Sequence, residues 1–160
     1  MLPLGTALPS FELPEVGGGC WSTSELDDRP LLVLFICAHC PYVKHVEASL
    51  TALTADFAAT LQIVAISSNS VFTHPQDAPE QLLAQQQRLG WSFPYLYDPD
   101  QAVAKAFHAA CTPDPCLFDG AQRLIYRGQL DASRPSGDQA SDCADLRRAL
   151  AALGAGESPI

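Results

Sequence analysis

An unbroken apolar run that leads straight into a cysteine pair constrains the fold of this chain more than any other feature. Residues 31–36 read Leu-Leu-Val-Leu-Phe-Ile and predict a strand that is buried on both faces. Residues 41–57 carry apolar side chains at helical spacing and predict an amphipathic helix. Residues 37–40, Cys-Ala-His-Cys, lie between the two, so the cysteine pair is expected at a strand-to-helix junction.

This junction predicts a dithiol redox site. We place Cys37 at the N-cap of the helix, where free N–H groups and a partial positive charge lower the pKa of a thiol. Cys40 is then expected in the first turn with a higher pKa, and His39 adds a possible positive charge beside the thiolate. The interpretation assigns Cys37 as the nucleophile, Cys40 as the resolving cysteine and His39 as a catalytic tuning residue.

Length, charge and hydropathy limit the other classes of function. A chain of 160 residues is expected to form one domain, residues 1–160. Its net charge of −9 argues against nucleic acid and against anionic membranes as partners. No apolar run approaches the roughly 20 residues that span a bilayer, and no signal-peptide pattern opens the sequence. We therefore expect a cytoplasmic protein without structural disulfides.

The remaining pattern predicts an α/β fold. Strands are expected within residues 10–16, 31–36, 61–66, 91–97, 116–118 and 124–126, and helices within residues 22–26, 41–57, 79–89, 100–108 and 141–153. Asp77 is expected to cap the helix that follows it, and Asp98 or Asp100 the next one. Strands that alternate with helices, followed by a hairpin and a last helix, imply a mixed, mostly parallel sheet with helices on both faces.

A second motif, residues 110–114 (Ala-Cys-Thr-Pro-Asp), precedes the hairpin. Together with residues 37–44 and 126–135, it resembles the peroxiredoxin-like proteins of the thioredoxin superfamily, which are grouped with alkyl hydroperoxide reductase and thiol-specific antioxidant domains. The resemblance implies a thioredoxin-like fold, with an N-terminal extension and a helix inserted between the CxxC helix and the cis-proline loop. It also implies a cis Thr112–Pro113 bond, with both residues forming a substrate-binding wall beside the cysteines.

One departure from the peroxidase pattern bears on activity. Peroxidases of the peroxiredoxin class carry Pro-x-x-x-Thr-x-x-Cys, but the position three before Cys37 is Leu34. A thiol-disulfide oxidoreductase is therefore the leading hypothesis, while a thiol-dependent peroxidase and a non-enzymatic redox sensor or adaptor stay open. The expected partners are a protein or small-molecule disulfide, or a peroxide, and an unidentified thiol reductant. Nothing in the sequence predicts a cofactor.

Metal binding is the main alternative role for the cysteine pair. Cys37 and Cys40 could form a zinc site with Cys111 and Cys116, or with His45. Closed zinc sites usually lie on flexible knuckles, whereas this pair is expected at a rigid strand-to-helix junction. The sequence therefore predicts no metal site.

Overall fold

A five-stranded mixed sheet forms the centre of the protein. The structure is a computed structural model that describes residues 2–157. The strands are β1 (Glu12–Pro14), β2 (Cys20–Ser22), β3 (Leu31–Phe35), β4 (Gln62–Ser67), β5 (Tyr95–Tyr97), β6 (Asp114–Phe118) and β7 (Leu124–Arg127). The α-helices are α1 (Pro41–Asp56), α2 (Pro79–Leu89), α3 (Ala102–Ala106) and α4 (Ala144–Gly154). The central sheet has the order β5-β4-β3-β6-β7, and β1 pairs with β2 in a separate hairpin.

The central strand β3 is apolar at every position because both of its faces are covered. It pairs with β4 in parallel and with β6 antiparallel, and all its residues are buried. Leu32 and Leu34 face the core formed with α1, α2 and α4. Val33 and Phe35 face a second core that includes α3 and the β1–β2 hairpin. The position of β3 fixes where the residues that follow it emerge from the sheet.

The predicted α/β fold is confirmed, with differences in strand pairing. Two of the four pairings in the central sheet are parallel and two are antiparallel, so the expectation of a mostly parallel sheet is wrong. The reason is that β6 pairs antiparallel with β3, and β7 in turn pairs antiparallel with β6. The expected edge strand at residues 10–16 is shorter and lies outside this sheet, because residues 17–19, three glycines, turn the chain back onto it.

Helices cover both faces of the sheet, as the sequence predicts. Helices α1, α2 and α4 contribute to one core, and α3 contributes to the other. Within residues 2–157, no helix is long and apolar enough to cross a membrane.

Candidate active site

The helix that follows the cysteine pair begins where the sequence predicts, but its N-cap residue is different. Its first residue is Pro41 and its N-cap residue is Cys40, which has an extended backbone with φ −64° and ψ 126°. A residue that precedes proline is excluded from the helical region, because the proline ring would contact its backbone. The prediction that Cys37 is the N-cap is therefore wrong. Cys37 lies two residues beyond the end of β3, and the side chain of Cys40, the N-cap residue, makes no hydrogen bond to the free N–H groups of α1.

The two thiols of the pair differ in exposure. Cys37 is 1% exposed, whereas Cys40 is partly exposed. Burial raises the pKa of the Cys37 thiol above its ordinary value, and the carboxylate of Asp77 acts in the same direction. Hydrogen bonds with the Thr112 side chain and with the backbone of Cys40 oppose this rise without cancelling it. The expected lowering of the Cys37 pKa is therefore wrong, because burial of this thiol outweighs both hydrogen bonds.

The loop at Thr112 and Pro113 lies against both cysteines. The peptide bond between these two residues is cis, as the resemblance implied. The Cys37 sulfur lies 3.6 Å from the Thr112 hydroxyl oxygen, and the Cys40 sulfur lies 3.7 Å from the Thr112 carbonyl oxygen. The structure thus brings Cys37, Cys40 and the Thr112–Pro113 loop together, with His39 between the two cysteines.

A buried carboxylate that the sequence analysis missed organises the cysteine loop. Asp77 is fully buried, and its Oδ1 accepts hydrogen bonds from the backbone N–H groups of Ala38 at 2.8 Å and His39 at 2.9 Å. Its Oδ2 accepts from the side-chain amide of Asn69 at 2.8 Å and contacts Nδ1 of His39. The expected role of Asp77 as the N-cap of α2 is wrong, because Ala78 holds that position and the carboxylate turns toward the site.

A second buried network holds the other side of the same loop. The side-chain amide of Gln85 donates to the carbonyl oxygen of Cys37 at 3.1 Å and to the carboxylate of Glu47 at 2.9 Å. The amide oxygen of Gln85 accepts from the hydroxyl of Tyr95 at 2.7 Å. Arg88 forms an ion pair with Glu47 at 3.0 Å. Polar side chains of α1, α2 and β5 therefore fix the backbone where it leaves β3.

A cavity of about 560 Å³ opens beside Cys40. This volume lies within the range of small-molecule sites, roughly 300–1,000 Å³. Its walls include Cys40, His39, His74, Lys105 and the exposed Cys111. The rings of His39 and His74 lie with their centroids 5.0 Å apart. A substrate in this cavity would meet Cys40.

Comparison with known proteins identifies the family of this chain. A family model described as the AhpC/TSA family matches residues 4–129. The chain belongs to the AhpC/TSA family. Membership confirms the peroxiredoxin-like resemblance and places the chain among thiol-dependent redox proteins. No curated protein sequence matches it.

Solved structures agree with the family and the fold. A hypothetical protein from Sinorhizobium meliloti 1021 is 40% identical, with a TM-score of 0.96, over 100% of this chain and 88% of that one. An uncharacterized conserved protein from Geobacillus kaustophilus is 42% identical, with a TM-score of 0.95, over 100% and 86%. The thioredoxin domain of a thiol-disulfide oxidoreductase from Bacteroides vulgatus is 14% identical, with a TM-score of 0.69, over 92% and 97%. The last comparison confirms the thioredoxin-like fold of this AhpC/TSA protein.

The geometry does not favour the zinc site that the sequence left open. Cys116 lies in β6 in the core on the opposite face of the sheet from Cys37, and burial raises its pKa to about 12. His45 is hydrogen-bonded to a serine hydroxyl instead. Among residues 2–157 one group could offer three metal ligands, namely Cys37, His39 and Asp77. Both oxygens of Asp77 already hold two nitrogen partners each, so a metal ion would have to displace them.

Proposed function

We propose that the protein is a thiol-disulfide oxidoreductase whose redox pair is Cys37 and Cys40. The observation that carries this proposal is the position of the pair: Cys40 faces a cavity at the start of α1, and Cys37 lies behind it, with the same threonine against both sulfurs. A thiol that meets the substrate and a second thiol that is shielded from it are the two parts that dithiol exchange requires.

The order of attack that the structure supports is the reverse of the order predicted from sequence. Cys40 is partly exposed and lines the cavity, where a substrate disulfide can reach its sulfur. Cys37 is buried, which shields its sulfur from an incoming disulfide, and burial also raises the pKa of its thiol. We therefore assign the attacking role to Cys40 and the resolving role to Cys37.

The reaction then has two exchange steps. The Cys40 thiolate attacks one sulfur of the substrate disulfide, which forms a mixed disulfide and releases the other half as a thiolate. The Cys37 thiol loses its proton and attacks the Cys40 sulfur, which forms the Cys37–Cys40 disulfide and releases the second half. The substrate gains two electrons in total, and an external thiol reductant returns two electrons to the cysteine pair.

Peroxide reduction is the second candidate, because the family is named after a hydroperoxide reductase. In that case the Cys40 thiolate attacks one oxygen of the peroxide, the O–O bond breaks, and water or an alcohol leaves. The resulting sulfenic acid condenses with the Cys37 thiol to form the disulfide and a second leaving molecule, water. Counted from Cys40, however, the peroxidase pattern requires threonine and proline where this chain has Cys37 and Val33. We therefore expect faster reaction with a disulfide than with hydrogen peroxide.

Trapping the mixed disulfide tests this mechanism. After incubation of the reduced protein with glutathione disulfide, Cys37→Ser should accumulate a glutathione adduct on Cys40, because the resolving thiol is missing. Cys40→Ser should form little adduct, and Cys111→Ser serves as the matched control because Cys111 lines the same cavity. Intact-mass and peptide mass spectrometry identify the modified residue.

Three outcomes would change the assignment. An adduct on Cys37 in the Cys40→Ser variant, with Cys37→Ser inert, would restore the order predicted from sequence. If the protein reduces hydrogen peroxide faster than it reduces insulin or glutathione disulfide, the result would favour the peroxidase. Absence of turnover with every disulfide and peroxide, despite reversible oxidation of the pair, would favour a redox sensor or adaptor.

A further inference from the structure

The hydrogen-bond pattern around Asp77 defines which nitrogen of the His39 ring carries a hydrogen. Three of the four partners of the carboxylate are N–H donors by their chemistry: two backbone amides and the side-chain amide of Asn69. Both oxygens therefore act as acceptors, as in an ionised carboxylate. The fourth partner, Nδ1 of His39, must donate as well. Its Nε2 is then the nitrogen that is free to take up and release a proton.

The His39 ring connects the buried carboxylate with the reacting sulfurs. Asp77 has no exposed side-chain surface, whereas 29% of the His39 side chain is exposed. His39 lines the cavity beside Cys40, where the leaving half of a disulfide would depart. The Cys37 sulfur, a His39 ring nitrogen and an Asp77 oxygen also lie within 4.8 Å of one another, a separation that one water molecule can bridge.

We propose that His39 is the proton-transfer residue of this site and that Asp77 is the residue that positions it. The inference rests on the proposed dithiol exchange and adds a general acid–base pair to it. Asp77 comes from the segment between β4 and α2, so that segment completes the active site. Asp77 does not touch the substrate, and it acts by holding the tautomer and the orientation of His39.

The protons balance over the two exchange steps. His39 takes the proton of the Cys40 thiol at Nε2 and passes it to the first leaving thiolate. It then takes the proton of the Cys37 thiol through a bridging water and passes it to the second leaving thiolate. Burial raises the pKa of Cys37, so deprotonation of this thiol is the step that most needs a base. His39 ends the cycle as it began.

The substitution Asp77→Asn separates this role from a role in holding the loop. The amide oxygen can replace Oδ1 and keep the backbone donors of Ala38 and His39. The amide NH₂ would then replace Oδ2, and the Asn69 side chain can turn to offer its oxygen. The His39 ring would have to present Nδ1 as an acceptor and carry its hydrogen on Nε2. The loop is kept, while the tautomer changes and the charged ring loses its counter-ion.

The experiment compares two disulfides that differ in their need for a proton. The thiolate that leaves an activated aromatic disulfide, dithiobis(nitrobenzoate), is stable, whereas the thiolate that leaves glutathione disulfide is basic and benefits from protonation. General acid–base catalysis contributes roughly 10²- to 10⁴-fold. We therefore expect Asp77→Asn to slow the reaction with glutathione disulfide at least about tenfold more than the reaction with the aromatic disulfide, which loses only the base for the two cysteine thiols.

The controls distinguish positioning from folding. Glu80→Gln removes an exposed acid at the start of α2 and should change neither rate. His39→Gln should reproduce the selective loss seen with Asp77→Asn. Heteronuclear NMR of the His39 ring should show the hydrogen on Nδ1 in the parent protein and on Nε2 in Asp77→Asn.

Equal slowing with both disulfides would overturn proton transfer to the leaving thiolate, and no slowing with either would overturn the proton-transfer role as a whole. An unchanged tautomer in Asp77→Asn would overturn the positioning role. If the parent protein reacts with neither disulfide through Cys40, the proposed function fails. The NMR measurement would still report whether Asp77 positions His39, so the two failures are distinguishable.

Discussion

The buried carboxylates of Asp77 and Asp131 each hold a loop by accepting hydrogen bonds. They differ in how backbone and side-chain donors are distributed between the two carboxylate oxygens. Asp77 receives both of its backbone donors on one oxygen and both of its side-chain partners on the other. Asp131 receives backbone donors on both oxygens: Ser133 on Oδ1 at 2.9 Å, and Cys143 at 2.8 Å and Asp142 at 3.1 Å on Oδ2. Side chains can turn to suit an amide, but a backbone N–H can only donate.

The surroundings of the two carboxylates suggest different roles. Asp77 contacts a titratable ring that faces a cavity. Asp131 is 3% exposed and also accepts from Ser133 and Ser141 hydroxyls. The Ser141 hydroxyl lies 2.6 Å from that of Ser49 in α1, so this cluster ties the segment before α4 to α1. We infer that Asp77 serves mainly the chemistry and Asp131 mainly the stability of the fold.

The largest expected effect is a loss of stability in Asp131→Asn. The contrast between the two carboxylates fails if Asp77→Asn loses as much stability or more. In Asp131→Asn, the amide NH₂ must face at least one backbone N–H, whichever way the side chain turns. Hydrogen bonds to charged groups contribute about 1.5–3 kcal/mol, so we expect the free energy of unfolding to fall by about 3 kcal/mol. Asp77→Asn should lose much less, since its donors can be rearranged.

Urea unfolding of the two variants and the parent protein measures this difference. For a chain of this size a loss of about 3 kcal/mol corresponds to a melting temperature lower by roughly 6–12 °C. Equal losses of unfolding free energy in both variants would show that the distribution of donors between the two carboxylate oxygens does not affect stability. The rates of thiol-disulfide exchange of folded Asp131→Asn with both disulfides should stay close to those of the parent protein.

The second prediction sharpens the comparison through pH. Burial by itself raises the pKa of Asp131, but the donors of Ser133, Ser141 and Cys143 outweigh it and lower the pKa from 3.8 to about 2. Between these values the unfolded chain binds a proton that the folded protein does not, so unfolding free energy rises with pH. The contribution is present above about pH 4 and is lost as the pH falls through about 2.

A shift of this size corresponds to about 2 kcal/mol. The difference in unfolding free energy between the parent protein and Asp131→Asn should therefore narrow by about 2 kcal/mol as the pH falls from about 5 to below 2. Other carboxylates titrate in both proteins and cancel in this difference. A difference that stays constant with pH would mean that the donors do not favour the ionised form.

The sequence predicted the strand, the cysteine pair, the helix and the cis Thr112–Pro113 bond, because each depends on local pattern or on family resemblance. The N-cap of α1 is predictable from the sequence. Pro41 excludes Cys40 from helical geometry, which places the N-cap at Cys40 and not at Cys37. The residue before a proline is a boundary signal that the sequence itself contains.

The role of Asp77 was not accessible in this way. It contacts Ala38 from 39 positions further along the chain, and the residues around it also fit a helix cap. The same holds for Asp131, whose donors come from both sides of a loop without a periodic pattern. Contacts of this kind depend on how distant segments pack, so only the three-dimensional structure shows them.

The smallest expected effects come from removing one uncharged side-chain donor from each carboxylate. They test whether the donors of Asp131 affect stability alone and those of Asp77 affect the chemistry. Ser141→Ala removes one hydroxyl from Asp131 Oδ2 and one partner from Ser49, while the backbone donors stay. We expect a loss of about 1.5 kcal/mol in unfolding free energy, because the hydroxyl donates to an ionised carboxylate. Asn69→Ala removes the corresponding amide from Asp77 Oδ2 and leaves the His39 ring in place.

Urea unfolding and the two exchange rates should be measured for both variants. Asn69→Ala should keep most of the rate with glutathione disulfide relative to the rate with the aromatic disulfide, since the His39 contact holds the tautomer. Ser141→Ala should alter stability without altering either rate. A selective loss of the glutathione disulfide rate in Ser141→Ala, at unchanged stability, would show that the Asp131 cluster also acts on the cysteine pair. Asp131 would then serve catalysis as well as the fold, and the contrast between the two carboxylates would no longer hold.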